Sequence, residues 1–351
     1  MANPRHTKSR ITIKDVAEDA GVSIATVSNM LNGRTDAMSE ETLHRIQEAV
    51  ARLRFRPNIV ARSMVTRRTG SIGLILDEIE TPLFLQALTV IEPMARSAGY
   101  NVLLCNARHV REEREALNLL LEKQIDGLIL LSTSERREDA YLLELQEVGL
   151  PVVLINRKTD HLGPNYDSIC WDNVGGVAAA VEHLVHQGHR RIAHLRGPLR
   201  RRSSEERLRG YRLGLKECGL VHDETYIRSG DYTGTPEAWE KATTELLALA
   251  NPPTAIIASD DLVAAVVMRT IQNAGLRVPA NIAIVGIDDQ PFCTLLNPAL
   301  ATVRLPVIEA GQRAIALLLD KIGGKGEAGT HILLPCPLIV RGSCETRRVK
   351  Q

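Results

Sequence analysis

"TIKDVAEDAGVSIATVSNMLNG", Thr12 to Gly33, reads as two short helices joined by a tight Gly-Val-Ser turn. Thr12 caps the first, with Asp15 three residues on as the reciprocal partner of a capping box. Ile13, Val16, Ala17 and Ala20 recur at helical spacing and make one apolar stripe. Gly21 supplies a left-handed stop. Ser23 caps the second helix, which buries Val27, Met30 and Leu31 before Gly33 ends it. A third helix starts at Ser39 in "SEETLHRIQEAVARLRF" and sets Leu43, Ile46, Val50 and Leu53 on one face. Such short helices are marginal alone, so the three are expected to share one core as a helix-turn-helix bundle.

The charge is uneven. Residues 1–70 carry 12 Lys and Arg against 7 Asp and Glu, whereas the remainder carries 31 against 35. A basic front on an acidic body points to a polyanion met by the front alone. The outer face of the second helix stays small and polar, with Ser23, Ile24, Ala25, Ser28, Asn29 and Asn32, and fits a DNA major groove without steric conflict. Thr12, Thr26, Arg34, Arg45, Arg54 and Arg56 surround it as candidate phosphate contacts.

From Ser71 the texture changes to alternating strands and helices: "SIGLIL", a striped helix from about Pro82, "YNVLLC", "EREALNLLLEKQ", "DGLILL", "PVVLI". After "SICWD" the rhythm restarts through "VAAAVEHLVHQG", "RIAHL", "EERLRGYRLGLKECG", "TAIIAS", "LVAAVVMRTIQNAG" and "IAIVGID", with later strands at 302–304 and 331–334. Such alternation implies parallel sheets covered by helices on both faces. Two runs imply two lobes with several crossovers.

The quoted headpiece, followed by "VARSM", "SIGLIL" and the closing "PLIVRGSC", resembles the lactose/galactose repressor (LacI-type) family of bacterial transcription regulators along almost the whole chain. The fold expected is an all-α helix-turn-helix headpiece plus hinge, followed by an α/β periplasmic-binding-protein-like effector domain of two doubly wound parallel-sheet lobes. The expected boundaries are 1–58 for the headpiece and 59–70 for the hinge. Lobe 1 is expected at about 71–170 plus 303–329, and lobe 2 at about 171–300 plus 331–345.

The resemblance implies a regulator, most simply a repressor, that binds a pseudo-palindromic DNA operator as a homodimer under the control of a small effector. Asn29 stands where the family commonly has Arg, and Asn pairs with adenine where Arg favours guanine. Paired hinge helices in the family wedge an apolar side chain into the minor groove, and Met64 occupies that position. A segment that folds only on DNA, beside its twin, couples DNA binding to whatever moves the two hinge starts.

Ligands of open α/β sheets lie beyond the carboxyl ends of strands. Asp77, Glu78, Leu83 and Phe84 follow the first strand, and Asn156 and Arg157 follow the fourth. In "GPLRRRSSEERLRGY" the resemblance assigns Arg207 to an effector hydroxyl or carboxylate, with Arg201 and Ser203 as lesser matches. Tyr232 falls on an aromatic position, Asp260 where Asn is usual and Asp288 on a ligand-binding Asp; Asp261 and Asp289 read as helix caps. Aromatic residues number only 11, so little stacking surface favours a sugar or sugar derivative over a purine.

Other classes have less behind them. "GKGEAG" at 324–329 runs from helix to strand, the reverse of a dinucleotide motif. His183, His186, His189 and His194 read as a surface group at a helix end, without a metal-binding set. No catalytic residue, cofactor or metal is expected, which weighs against an α/β enzyme. A sugar-binding transport protein would need a secretory signal, and "MANPRHTKSR" has no apolar core. Six scattered cysteines read as free thiols of a cytoplasmic protein, and no apolar run suggests a membrane segment.

Overall fold

The computed structural model describes residues 11–31, 33–36, 38–55, 68–76, 82–107, 109–131, 140–157, 166–198, 201–230, 236–326 and 329–345. It divides into two units, Met1–Thr69 and Gly70–Gln351. The expected hinge helix falls outside the described residues.

In the first unit α1 spans Ile13–Ala20, α2 Ile24–Leu31 and α3 Glu40–Leu53. The capping box forms as expected: Thr12 N–H and Oγ1 both donate to Asp15 Oδ2, at 2.7 and 2.8 Å, and Asp15 N–H returns to Thr12 Oγ1. Gly21 adopts φ 63°. The Thr26 amide donates to Ser23 Oγ at 3.1 Å and the Thr42 amide to Ser39 Oγ at 3.2 Å, so each later helix also has its expected cap. Val16, Ala17, Ala20, Val27, Ile46, Ala49 and Phe55 form the buried core, with Met30 and Leu31 packed at its margin.

The second unit contains two six-stranded sheets. The first holds β1 (Ser71–Leu76), β2 (Asn101–Asn106), β3 (Gly127–Leu131), β4 (Val152–Ile155), β5 (Asp167–Trp171) and β11 (His331–Leu334), in the order β11-β5-β4-β3-β1-β2. The second holds β6 (Ile192–Arg196), β7 (Ile227–Ser229), β8 (Ala255–Ile257), β9 (Ala283–Asp288), β10 (Ala301–Arg304) and β12 (Leu338–Ile339), in the order β12-β10-β9-β8-β6-β7. All pairings are parallel except that of β10 with β12. Strands β1, β3, β4 and β5 are buried almost throughout, the mark of strands covered on both faces.

The helices of this unit are α4 (Pro82–Ser97), α5 (Val110–Glu122), α6 (Ala140–Val148), α7 (Asn173–His186), α8 (Arg202–Glu217), α9 (Pro236–Leu247), α10 (Asp261–Asn273) and α11 (Val307–Ile322). The chain changes sheet three times: from β5 into α7, from β10 into α11, and from β11 to β12. The lobe boundaries therefore need correction. Strand 301–304 pairs with β9 and belongs to lobe 2, whereas 331–334 pairs with β5 and belongs to lobe 1. Lobe 1 also keeps Trp171, the last residue of β5. The reason is that α11 packs on α4, β3 and β4, so the chain returns to lobe 1 after β10 rather than before it.

Helices α7 and α8 approach closely because two glycines on α8 face α7. A Cβ at Gly210 would lie 2.4 Å from the Val174 carbonyl oxygen, and one at Gly214 would lie 2.7 Å from Val181 Cβ. Gly210→Ala is therefore expected to destabilise the body by about 1–3 kcal/mol, since the neighbour is rigid backbone. A urea midpoint equal to that of the parent protein would show that the two helices separate freely.

Candidate DNA-reading face and ligand site

The turn between α1 and α2 leaves one side of α2 open. Ser23, Ala25 and Asn29 are exposed, Ile24 is 48% exposed, and Thr26 and Ser28 are half-buried. Asn32 and Met64 lie outside the described residues. The Ser23 and Thr26 hydroxyls bond each other at 2.8 Å, and the Thr12 hydroxyl donates to Asp15 within the capping box. Arg34 is exposed beyond the end of α2.

Two of the expected phosphate contacts stand at helix ends. Arg45 donates to the Ala20 and Gly21 carbonyls, closing the end of α1, and Arg54 is the left-handed end of α3 at φ 49°. These carbonyls are orphans of the helix end, and a guanidinium reaching from α3 satisfies them. Arg56 lies outside the described residues.

In the body, the expected ligand residues gather at the carboxyl ends of the lobe 2 strands and in the first turns of α8. Arg207 is 6% exposed. Its Nε donates to Asn173 Oδ1 at 3.3 Å, its Nη1 to the Ser259 carbonyl, and its Nη2 stands 3.6 Å from Asp288 Oδ1. Asn173 Nδ2 in turn donates to Glu206 Oε2 at 2.9 Å, and Arg202 Nε to Glu206 Oε1 at 2.8 Å. A polar chain thus runs from α8 to the first residue of α7, directly after the crossover from lobe 1. Ser203 is buried in the same turn of α8, and Arg201 is half-buried before it.

Asp261 does not have the cap role expected of it. Asp260 is the cap of α10, accepting from the Val263 amide at 2.8 Å. Asp261 is fully buried and accepts from Thr302 Oγ1 at 2.5 Å and from the Gln290 amide at 2.7 Å, tying α10 to β10. Asp289 is likewise no cap, because it forms ion pairs with Arg304 and Arg341, both at 2.6 Å. Burial pushes the Asp288 carboxyl well above its ordinary range despite the opposing pull of Arg207. Burial also raises Asp260, and raises Asp261 to about 6 against the hydrogen bonds from Thr302 and Gln290.

The lobe 1 candidates divide. Asn156 follows β4 at φ 57°, a left-handed conformation that Asn tolerates, and Asp288 ends β9 at φ 124°. Arg157 is 3% exposed and paired at 2.7 Å with Glu113, a fixed ion pair rather than an open hand. Phe84, expected at the effector, sits inside α4, 3% exposed, with its ring in the apolar core. Asp77, Glu78 and Tyr232 lie outside the described residues.

Glu206, Asn173 and Glu113 escaped sequence reading. Arg202 and Glu206 at i, i+4 gave a helical signal. Glu113 lies 44 residues from Arg157 and gave none. The histidine reading also changes. His194 lies fully buried in β6, stacked on Tyr211 with centroids 5.3 Å apart, and burial lowers its pKa to about 4. His189 is buried and bonded to Thr254, so only His183 and His186 fit a helix-end group. Among the described residues no cluster suited to a metal occurs, none of the six cysteines is in a disulfide, and no helix is long and apolar enough to cross a membrane.

A helix-turn-helix unit with an exposed reading face, in front of a two-lobed binding-protein-like body, is the plan of a DNA-binding transcription regulator. Residues 12–58 match the family model for bacterial regulatory proteins of the lacI family, and residues 181–344 match a periplasmic binding protein-like domain. The chain is 34% identical over 333 residues to the HTH-type transcriptional repressor CytR of Escherichia coli (strain K12), covering 95% of this chain and 96% of the relative. It is equally identical, over the same shares, to the repressor PurR of Proteus mirabilis (strain HI4320). Among solved structures, the lac repressor dimer bound to operator and the anti-inducer ONPF superposes with a TM-score of 0.85 at 29% identity, over 96% of this chain and all of that one. A CelR–cellobiose complex superposes with a TM-score of 0.70 at 31% identity, over 95% of this chain and all of that one. The chain belongs to the LacI family of bacterial transcription regulators. It is accordingly a DNA-binding regulator and not an enzyme.

Proposed function

We propose that this protein is a repressor that binds a pseudo-palindromic operator as a homodimer, and that a sugar or sugar derivative held between its two lobes controls that binding. The observation that carries the reading is the open face of α2, small and polar and free of core duties, on a basic unit. In this reading Ser23, Ile24, Ala25, Thr26, Ser28, Asn29 and Asn32 face the major groove. Arg34 and Thr12 flank it, and Met64 of the 59–70 hinge wedges the minor groove. The effector engages Arg207 and Asp288, with Asp260, Ser203, Arg201, Asn156 and Tyr232 around them. The lac repressor and CelR complexes, whose names give an operator, an anti-inducer and cellobiose as ligands, support the same assignment. A change of lobe angle on effector binding moves the two hinge starts, which couples the two sites.

Titration of the full-length protein onto a candidate operator and a scrambled duplex, from 50 to 200 mM salt, tests the DNA half. The expected result is a preference for the operator, with affinity falling about 10³-fold or more across that range, as for a protein that releases several phosphate counterions. Equal affinity for both duplexes would overturn the reading.

A further inference from the structure

A cavity of about 610 Å³ lies between α8 and the β6–β7 side of the lobe 2 sheet, within the usual size range of small-molecule pockets. Arg201, Arg207 and Asp288 are not among the residues that line it. Four arginines are: Arg196 from the end of β6, and Arg202, Arg209 and Arg212 from α8, whose spacing sets them on one face of the helix. Three glutamates accompany them. Arg202 pairs with Glu206 at 2.8 Å and Arg212 with Glu224 at 2.6 Å. Among the described residues Arg196 and Arg209 form no ion pair, and neither does Glu205, although it stands four positions before Arg209 on α8.

Arg202 has capacity left as well. Its Nε donates to Glu206, whose other carboxylate oxygen is taken by Asn173. Its Nη1 is shut off from solvent and has no hydrogen-bond partner among the described residues. Buried donors are nearly always paired in folded proteins. An unpaired one on a guanidinium, beside a cavity that holds two further uncommitted guanidiniums, marks a place for an acceptor with negative charge.

We infer that this cavity binds a small organic phosphate monoester, at a site separate from the one assigned to the effector. A phosphate group offers three strong acceptor oxygens, enough for Arg196, Arg209 and Arg202 together, and the guanidinium fork matches it in paired hydrogen bonds. A carboxylate offers two oxygens and less charge. Glu205 is exposed, so solvent screens its repulsion of the phosphate. Ser229 is exposed at the same cavity and can bond a hydroxyl on the ligand's carbon skeleton, while Leu208 and Ile227 give that skeleton an apolar wall.

Glycerol 3-phosphate is the probe, with glycerate and glycerol as controls on the same skeleton. Binding to the full-length protein is followed by titration calorimetry at constant ionic strength, without DNA or effector, so the result stands apart from the regulator reading. The parent is expected to bind glycerol 3-phosphate saturably, glycerate about tenfold or more weakly, and glycerol not at all. Arg196→Gln/Arg209→Gln is expected to bind glycerol 3-phosphate about tenfold or more weakly than the parent, the usual effect of losing charge-assisted hydrogen bonds. Arg196 is half-buried and Arg209 exposed. Arg209→Gln alone serves if circular dichroism shows the double variant to be unfolded. Undiminished binding by the variant overturns the inference, because it places the ligand at the cleft or on the DNA-binding unit. No saturable binding by the parent also overturns it, and glycerate bound as tightly as the phosphate sinks the ligand class.

Discussion

With Ala25 and Asn29 both replaced by Glu, the protein keeps its fold and loses specific DNA binding by about 10³-fold or more, the lower end of the usual gap between specific and non-specific affinity. Both side chains are exposed on α2, and neither contributes to the core of the first unit. A Glu in the first turn is favoured by the helix dipole, and the Glu–Glu repulsion at i, i+4 costs about 0.2–0.5 kcal/mol. On DNA the balance is different. In the proposed reading Asn29 gives up a bidentate contact to adenine, worth about 1–3 kcal/mol. Two carboxylates per protomer then enter a groove edged by acceptors and phosphates. Fluorescence anisotropy with operator and scrambled duplexes measures the loss, and thermal unfolding checks the fold. A change under tenfold would remove α2 from the groove.

Arg207→Ala acts in the opposite direction, on stability first. It strands Asp288 without its guanidinium and leaves Asn173 Oδ1 and the Ser259 carbonyl without that donor. Breaking a buried pair from one side costs about 3–5 kcal/mol. The cost depends on pH, because burial already holds the Asp288 carboxyl above its ordinary range and loss of Arg207 raises it further. A carboxyl whose pKa is higher in the folded than in the unfolded protein binds its proton more tightly when folded. The defect is therefore smallest in acid and grows as pH rises through the folded value. The Tm deficit of Arg207→Ala against the parent is expected to be larger at pH 8 than at pH 5, and Asp288→Asn in the same chain is expected to recover part of it. At permissive temperature the variant should hold operator DNA and ignore effector. A deficit that does not change with pH would remove the uncompensated carboxylate as its cause.

Much of the first unit was legible because its determinants are local. Thr12 with Asp15, Ser23, Gly21 and Ser39 each act within four residues of where they stand, and the apolar stripe that fixes the core repeats every three to four positions. The strand–helix alternation of the body was legible for the same reason. Arg207 and Asp288 were found through resemblance, and the fold brings them within ion-pair distance across 81 positions of chain.

What the amino-acid order determined alone was therefore the three helices of the first unit with their caps, most strands of the body and the two-part plan, all written in spacings shorter than a turn or two. Tertiary structure decided which sheet strands 301–304 and 331–334 join, that Asp260 rather than Asp261 caps α10, and that Arg157 closes on Glu113. Those outcomes turn on burial and on partners tens of residues distant. A side chain's periodicity records which way it faces along its own element, but not which charge the packing of other elements will set against it.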